Sequence, residues 1–266
     1  FFLYDTLVQK RHDLVMATAE RTNAIASSLF PSNVRERMFK DAEEQAERDV
    51  KNKKNMGAHA TGKNRLKEYL DEADEGGKAF DTKPIADLFP ETTIMFADIV
   101  GFTAWSSSKE PAQVFTLLET VYQAFDEIAR RRRVFKVETI GDCYVAVCGL
   151  PTPRKDHAVV MARFARDCLT KMNDLTKKLE LQLGPDTADL SIRVGLHSGA
   201  VTAGVLRGDK SRFQLFGDTM NTTARIESTG ESNHIHLSSD TAKLIKDAGK
   251  ANWLQKRDEA VFAKGK

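Results

Sequence analysis

Three features of the sequence predict an α/β fold, an α+β sandwich with added elements around a ferredoxin-like core. Two long stretches, about 111–131 and 155–179, carry apolar residues at helical spacing. Short apolar runs bounded by turn residues lie before, between and after them. Their order is strand, helix, two strands, helix, strand, which is the β-α-β-β-α-β arrangement of that core.

The first strand is the apolar run from Thr92 to Ala97, with Asp98 where it should end. Gly101, Phe102 and Thr103 follow, and a helix begins with Pro111 at a first-turn position. Residues 134–139 and 143–148 read as two strands joined by a tight turn, with Gly141 supplying the turn and Asp142 at its tip. A helix over 155–179 and a strand over 190–198 complete the core. The added elements are residues 200–206, a strand Gln214–Phe216, a helix over 218–230, and a short strand and helix from Ile235 to Ala248.

The chain divides into three parts. Residues 1–39 form an N-terminal helix and connector, 40–83 a charged flexible insert, and 84–266 the main domain. Phe1-Phe2-Leu3-Tyr4 begins like the interface end of a transmembrane helix. Leu7, Leu14, Ala17 and Ala24 follow loose heptad spacing, interrupted by Lys10 and Arg21. That pattern suits either a parallel coiled coil or one amphipathic helix packed on its own domain. The 40–83 stretch has few large apolar residues and includes Gly57, Gly62, Gly76 and Gly77, as an exposed insert would. Such an insert is either regulatory or a tolerated loop.

Composition narrows the function classes. A net charge of +2 provides no field for nucleic acid, and no base-reading motif appears. Cys143, Cys148 and Cys168 lack metal-ligand spacing and read as reduced thiols. No signal peptide or apolar run of about eighteen residues is present, so the chain as it stands is expected to be soluble.

Three stretches carry chemistry. A hairpin can bring Asp142 beside Asp98, and two carboxylates held together repel unless a cation sits between them. All-oxygen ligation suits Mg²⁺ or Mn²⁺, with room left for phosphate. The alternative for Asp98 is a surface carboxylate in a strand-to-helix loop. Asn221 and Arg225 lie four apart and share a helix face, which is either functional or an ordinary solvated face. His157, His197, His234 and His236 have no evident catalytic role, and His197 reads as a packed or hydrogen-bonded core residue.

Together the stretches Phe96-Ala97-Asp98-Ile99-Val100-Gly101-Phe102-Thr103, Glu138-Thr139-Ile140-Gly141-Asp142 and Phe216-Gly217-Asp218-Thr219-Met220-Asn221-Thr222-Thr223-Ala224-Arg225 resemble the catalytic domain of class III nucleotidyl cyclases. The resemblance runs from about Thr92 to Lys266. It implies conversion of a purine nucleoside triphosphate to its 3′,5′-cyclic monophosphate and pyrophosphate. By this resemblance Asp98, Asp142 and the backbone of Ile99 hold two divalent ions, Mg²⁺ or Mn²⁺. The Phe102 and Thr103 amides face phosphate, Asn221 orients the ribose, and Arg225 meets the α-phosphate. Lys264, in Ala263-Lys264-Gly265-Lys266, matches a phosphate-binding lysine, although the chain stops before the family's usual last strand. Arg207 and Arg212 are either further phosphate contacts or exposed loop arginines.

The resemblance also implies a head-to-tail homodimer, because one protomer supplies the aspartates and the other supplies Asn221 and Arg225. Glu138 and Gln214 occupy the base-selecting positions. Guanylyl cyclases typically carry Glu and Cys there, adenylyl cyclases Lys and Asp. Glu138 favours GTP, since a carboxylate accepts from guanine N1–H and N2–H₂. Gln214 fits neither pattern, so ATP or dual use is the alternative reading, with a silent signalling or dimerisation module behind it. The Leu29-Phe30-Pro31 break resembles the connector of receptor-type cyclases. It implies a membrane anchor upstream of Phe1, with the domain on the cytoplasmic side.

Overall fold

The structure, a computed structural model, describes residues 85–206 and 212–257, together with 31, 32, 34–41, 43, 44 and 47. Most of the expected N-terminal helix and insert, and both Arg207 and Lys264, lie outside the described residues. The chain forms two compact units, Phe1–Ala86 with Gly204–Phe213, and Asp87–Ala203 with Gln214–Lys266. In the first, residues 34–41 are helical and the Val205 N–H donates to the Ile85 carbonyl at 2.8 Å.

The second unit carries the predicted core. The strands are β1 (Ala86–Val100), β2 (Phe135–Ile140), β3 (Cys143–Cys148), β4 (Ser191–Leu206), β5 (Arg212–Phe216) and β6 (Ile235–Leu237). The helices are α1 (Phe102–Ser107), α2 (Pro111–Arg132), α3 (His157–Leu183), α4 (Asp218–Ser228) and α5 (Ser239–Asp247). The strand order β2-β3-β1-β4-β5, with β6 parallel to β4, is the ferredoxin-like order extended at one end. Among the described residues no helix is long and apolar enough to cross a membrane.

Alternation along the strands decides which face is covered. Met95, Ala97 and Ile99 of β1, with Tyr144, Ala146 and Cys148 of β3, share the face packed by α2 and α3. Leu117, Val121 and Phe125 from α2 meet Met161, Phe164 and Met172 from α3 in that core. Burying side chains of this size stabilises the fold by roughly 1.5–3 kcal/mol each before chain entropy is counted. Asp98 belongs to the other face, with its register partner Cys143.

The structure differs from the sequence reading in three places. The first strand does not stop at Asp98 but continues to Val100, because β3 supplies Asp98 with a ladder partner. The stretches expected at 190–198 and 200–206 are one continuous strand, Ser191–Leu206, which passes through Gly199 at a site of close approach. A Cβ there would stand 2.6 Å from Thr219 Oγ1. The short α1 replaces an expected loop, and the hydroxyls of Ser106, Ser107 and Ser108 each donate to a carbonyl three residues back. Such local bonding by serine is ordinary at short helix ends.

His197 is a buried hydrogen-bonded histidine, as its strand position suggested, with Nδ1 2.8 Å from Ser238 Oγ. It ends a largely buried chain of hydroxyls. His157 Nδ1 and Thr93 Oγ1 lie 2.7 Å apart, Thr93 and Ser198 2.8 Å, Ser198 and Thr241 2.9 Å, and Thr241 and the half-buried Ser238 3.1 Å. Each member satisfies the next, so the polar line costs the core little.

Helix α4 lies directly on β4. A Cβ on Gly195 would stand 2.3 Å from the Glu227 nitrogen and 2.5 Å from its Cα, both backbone atoms that cannot swing aside. Gly195→Ala should therefore lower stability by about 1–3 kcal/mol through overpacking. A urea titration of wild type and variant checks this, with an unshifted midpoint contradicting it.

Candidate active site

The site is set by the β1–β3 register. Asp98 stands opposite Cys143, so Asp142, the preceding residue in the turn, lies beside the end of β1. Gly141, at φ 62, forms the turn, and its carbonyl accepts a 3.0 Å hydrogen bond from Tyr122 Oη on α2. A second set of contacts fixes the hairpin to the same helix. Asp126 accepts from Tyr144 Oη at 2.8 Å and pairs with Lys136 Nζ at 2.9 Å. The Lys136 ammonium also stands 5.3 Å from the Tyr144 ring centroid.

Electrostatics at the site follow from this crowding. Burial pushes the Asp98 carboxyl above its ordinary range, Asp142 pushes it further, and Arg193 opposes both. Burial, then Asp98, raises the Cys143 thiol to about 12, so it stays protonated. Burial also raises the Tyr122 phenol, with Asp142 next, which keeps it a hydrogen-bond donor. The Ile99 side chain is buried in the core, so only its backbone is available to the site.

Two residues that sequence reasoning missed complete this surroundings. Arg193 on β4 places Nε 2.6 Å from Glu227 Oε1 and Nη2 3.5 Å from Asp98 Oδ2. Glu227, on α4, is buried, and burial raises its carboxyl while Arg193 lowers it. A charged residue inside an apolar strand pattern was the available signal for Arg193. Nothing local marked Glu227.

Asn221 and Arg225 share the exposed face of α4, whose other side carries buried Thr219, Thr223, Ile226 and Glu227. Two residues on a helix are about 200° apart, so Arg225 and Glu227 point to opposite sides. The charges that act on the Asp98 carboxyl are those of Asp142, which raises it, and Arg193, which lowers it. Thr103 is exposed and Phe102 packs on the core beside Trp105, their amides in the first turn of α1 after Gly101 at φ 85. Glu138 follows an irregularity in β2, and Gln214 is half-buried on β5, so the two occupy the end strands of the β2-β3-β1-β4-β5 order. Arg212 is exposed at the start of β5.

Among the described residues no three His, Cys, Asp or Glu side chains cluster as a metal-ligand set. The Asp98–Asp142 pair still suits a hard divalent cation. Its oxygens are the right donor type, and a cation there would offset the mutual repulsion that raises Asp98.

The adenylate and guanylate cyclase catalytic domain is the family whose sequence model matches, over residues 86–266. The chain belongs to this family. A receptor-type guanylate cyclase of Caenorhabditis elegans is 44% identical over 165 residues, which is 62% of this chain and 12% of that protein. Human atrial natriuretic peptide receptor 2 is 41% identical over 182 residues, 68% of this chain and 17% of the receptor. The chain thus spans under a fifth of these relatives' length. Among solved structures, the guanylate cyclase domain of RhGC from Catenaria anguillulae, in complex with GTP, is 38% identical. It superposes with a TM-score of 0.54 over 60% of this chain and 84% of that one. The adenylyl cyclase CyaB of P. aeruginosa shares the fold at 28% identity, with a TM-score of 0.57 over 61% of this chain and 83% of its own. The class III cyclase fold expected from the three motifs is therefore the fold of this catalytic domain.

A carboxyl raised in the folded state binds its proton more tightly there than when unfolded, so ionising it costs stability as pH rises above the ordinary aspartate range. Asp98→Asn should therefore raise the Tm of the metal-free chain at neutral pH, and the gain should shrink below that range. Calorimetry at several pH values tests it, and a lower Tm at neutral pH would count against it.

A second expectation concerns Tyr122→Phe. It removes one hydrogen bond to the turn, costing about 1 kcal/mol. It should also depress cyclase activity several-fold by loosening Asp142. Turnover equal to wild type would show that the turn holds without it.

Proposed function

We propose that this chain is the catalytic domain of a guanylyl cyclase, converting GTP to 3′,5′-cyclic GMP and pyrophosphate at sites formed between two head-to-tail copies. The observation that carries the reading is the separation within one protomer. The Asp98–Asp142 pair faces Arg193 and Glu227, whereas Asn221 and Arg225 look outward from the far side of α4. A second copy would bring an outward face to the aspartates. One solved relative, the guanylyl cyclase domain of RhoGC from Blastocladiella emersonii, 37% identical, is described as a non-canonical dimer, and the same domain has also been solved as a monomer.

In this reading Asp98, Asp142 and the Ile99 backbone would hold two divalent ions, Mg²⁺ or Mn²⁺, which when bound would acidify the 3′-hydroxyl and neutralise charge on the triphosphate. The amides of Phe102 and Thr103 meet phosphate oxygens at the start of α1. From the second copy, Asn221 orients the ribose so that the 3′-oxygen lines up with the α-phosphorus. Arg225 meets the α-phosphate as charge develops there, a role suited to a planar, permanently charged fork. Lys264 would add a contact to the leaving pyrophosphate.

Glu138 favours guanine because its carboxylate accepts from N1–H and N2–H₂, while adenine N1 is itself an acceptor. Gln214 supports a second reading. Its amide donates to guanine O6 or accepts from adenine N6–H₂, so ATP can enter as a slower substrate. The names of the curated relatives also support membrane attachment of the whole protein through a segment upstream of Phe1, with this domain on the cytoplasmic side.

The test is a product assay with GTP and ATP separately, each with Mg²⁺ and Mn²⁺. Cyclic GMP should dominate, and specific activity should rise with protein concentration. Cyclic AMP in excess would overturn the base assignment. Arg225→Ala should lower kcat by about 10²–10³, the usual effect of removing one transition-state charge contact. Mixing inactive Asp98→Asn with inactive Arg225→Ala should recover about a quarter of wild-type activity, through heterodimers with one intact site. Failure to recover any would reject the shared site.

A further inference from the structure

The Arg193 guanidinium stands between two carboxylates and treats them unequally. Its Nε lies 2.6 Å from Glu227 Oε1, a full charge-assisted hydrogen bond. Its Nη2 reaches Asp98 Oδ2 only at 3.5 Å, well beyond the 2.7–2.9 Å typical of such a bond. An arginine beside an accessible carboxylate frequently closes to a two-pronged fork. Here Glu227 holds the Nε–H, and Asp98 is left loosely engaged by Nη2.

The backbone holds Glu227 where it can do this. Gly195 leaves no space for a side chain between β4 and the Glu227 backbone, so α4 sits at its closest approach to the strand that carries Arg193. A Cβ on Gly230, just past α4, would stand 3.1 Å from Arg193 Cγ, so the chain also crowds the arginine stem. Glu227 is buried, and Arg193 is its ion-pair partner.

We propose that Glu227 is a positioning residue that tethers Arg193 and so keeps the Asp98 carboxylate open to a divalent cation. This rests on the reading of Asp98 as a metal-holding residue. Without the tether, the guanidinium closes onto Asp98 and occupies the oxygens a cation needs. Glu227 then acts on the site through Arg193, without touching substrate or metal.

The experiment measures Mn²⁺ binding to the purified chain by electron paramagnetic resonance, without nucleotide, so that turnover is not the readout. Asp98→Asn tests the underlying reading: if it binds Mn²⁺ like wild type, Asp98 is not a metal ligand and the proposal falls with that reading. If Asp98→Asn loses binding, Glu227→Gln should weaken Mn²⁺ affinity roughly tenfold to a hundredfold, the usual range for a residue supporting a metal ligand. Adding Arg193→Gln to that variant should restore affinity to within a few-fold of wild type. Unchanged affinity in Glu227→Gln, or no rescue in the double variant, overturns the proposal. A merely structural role would lower Tm without altering the affinity of the folded protein, and Arg193→Gln would not rescue it. Should Glu227→Gln fail to fold, Glu227→Asp keeps the charge but withdraws it from Arg193. It is expected to weaken Mn²⁺ binding in the same direction, and wild-type affinity there would overturn the proposal.

Discussion

The antiparallel register of β1 on β3 is the constraint on which the site depends. It sets Asp98 opposite Cys143, and so brings Asp142 beside Asp98. A one-residue slip would turn Asp98 into the face filled by Met95, Ala97 and Ile99. The apolar alternation of the two strands and the position of the carboxylates are thus one fact. The register that buries the core is also the register that assembles the acids.

Two helices keep that arrangement from relaxing. On the core side, α2 fixes the hairpin through Tyr122, Asp126 and their partners, so the turn bearing Asp142 is tied to a rigid element. On the opposite face, α4 presses on β4 across Gly195 and Gly199. That contact delivers Glu227 to Arg193 and turns Asn221 and Arg225 outward. One helix therefore carries both a support for the acid pair and the face offered to a second copy. The expense of burying these acids and then crowding them together, visible in the raised Asp98 and Glu227 carboxyls, is typical of sites organised for chemistry and not for stability.

The core was largely legible from local pattern. The helices expected over 111–131 and 155–179 appear as Pro111–Arg132 and His157–Leu183, and the hairpin strands lie within a residue of their expected bounds. Long periodic segments report their environment directly, because each residue's burial repeats with the element's geometry. The strand end was misplaced for another reason. Asp98 looked like a strand end because local rules disfavour a carboxylate inside a strand. A partner distant in sequence, Cys143, reversed that preference.

The sequence by itself determined the core of the fold, the family, and the identity of the residues that carry its three motifs. Those depend on residue type and spacing, which the chain states outright. Only the tertiary structure decided how the charges meet. Arg193 and Glu227 are ordinary charged residues in a strand and a helix until the close approach of α4 to β4 sets them 2.6 Å apart beside Asp98. Electrostatic energy depends on distance and burial, and neither is encoded in local sequence.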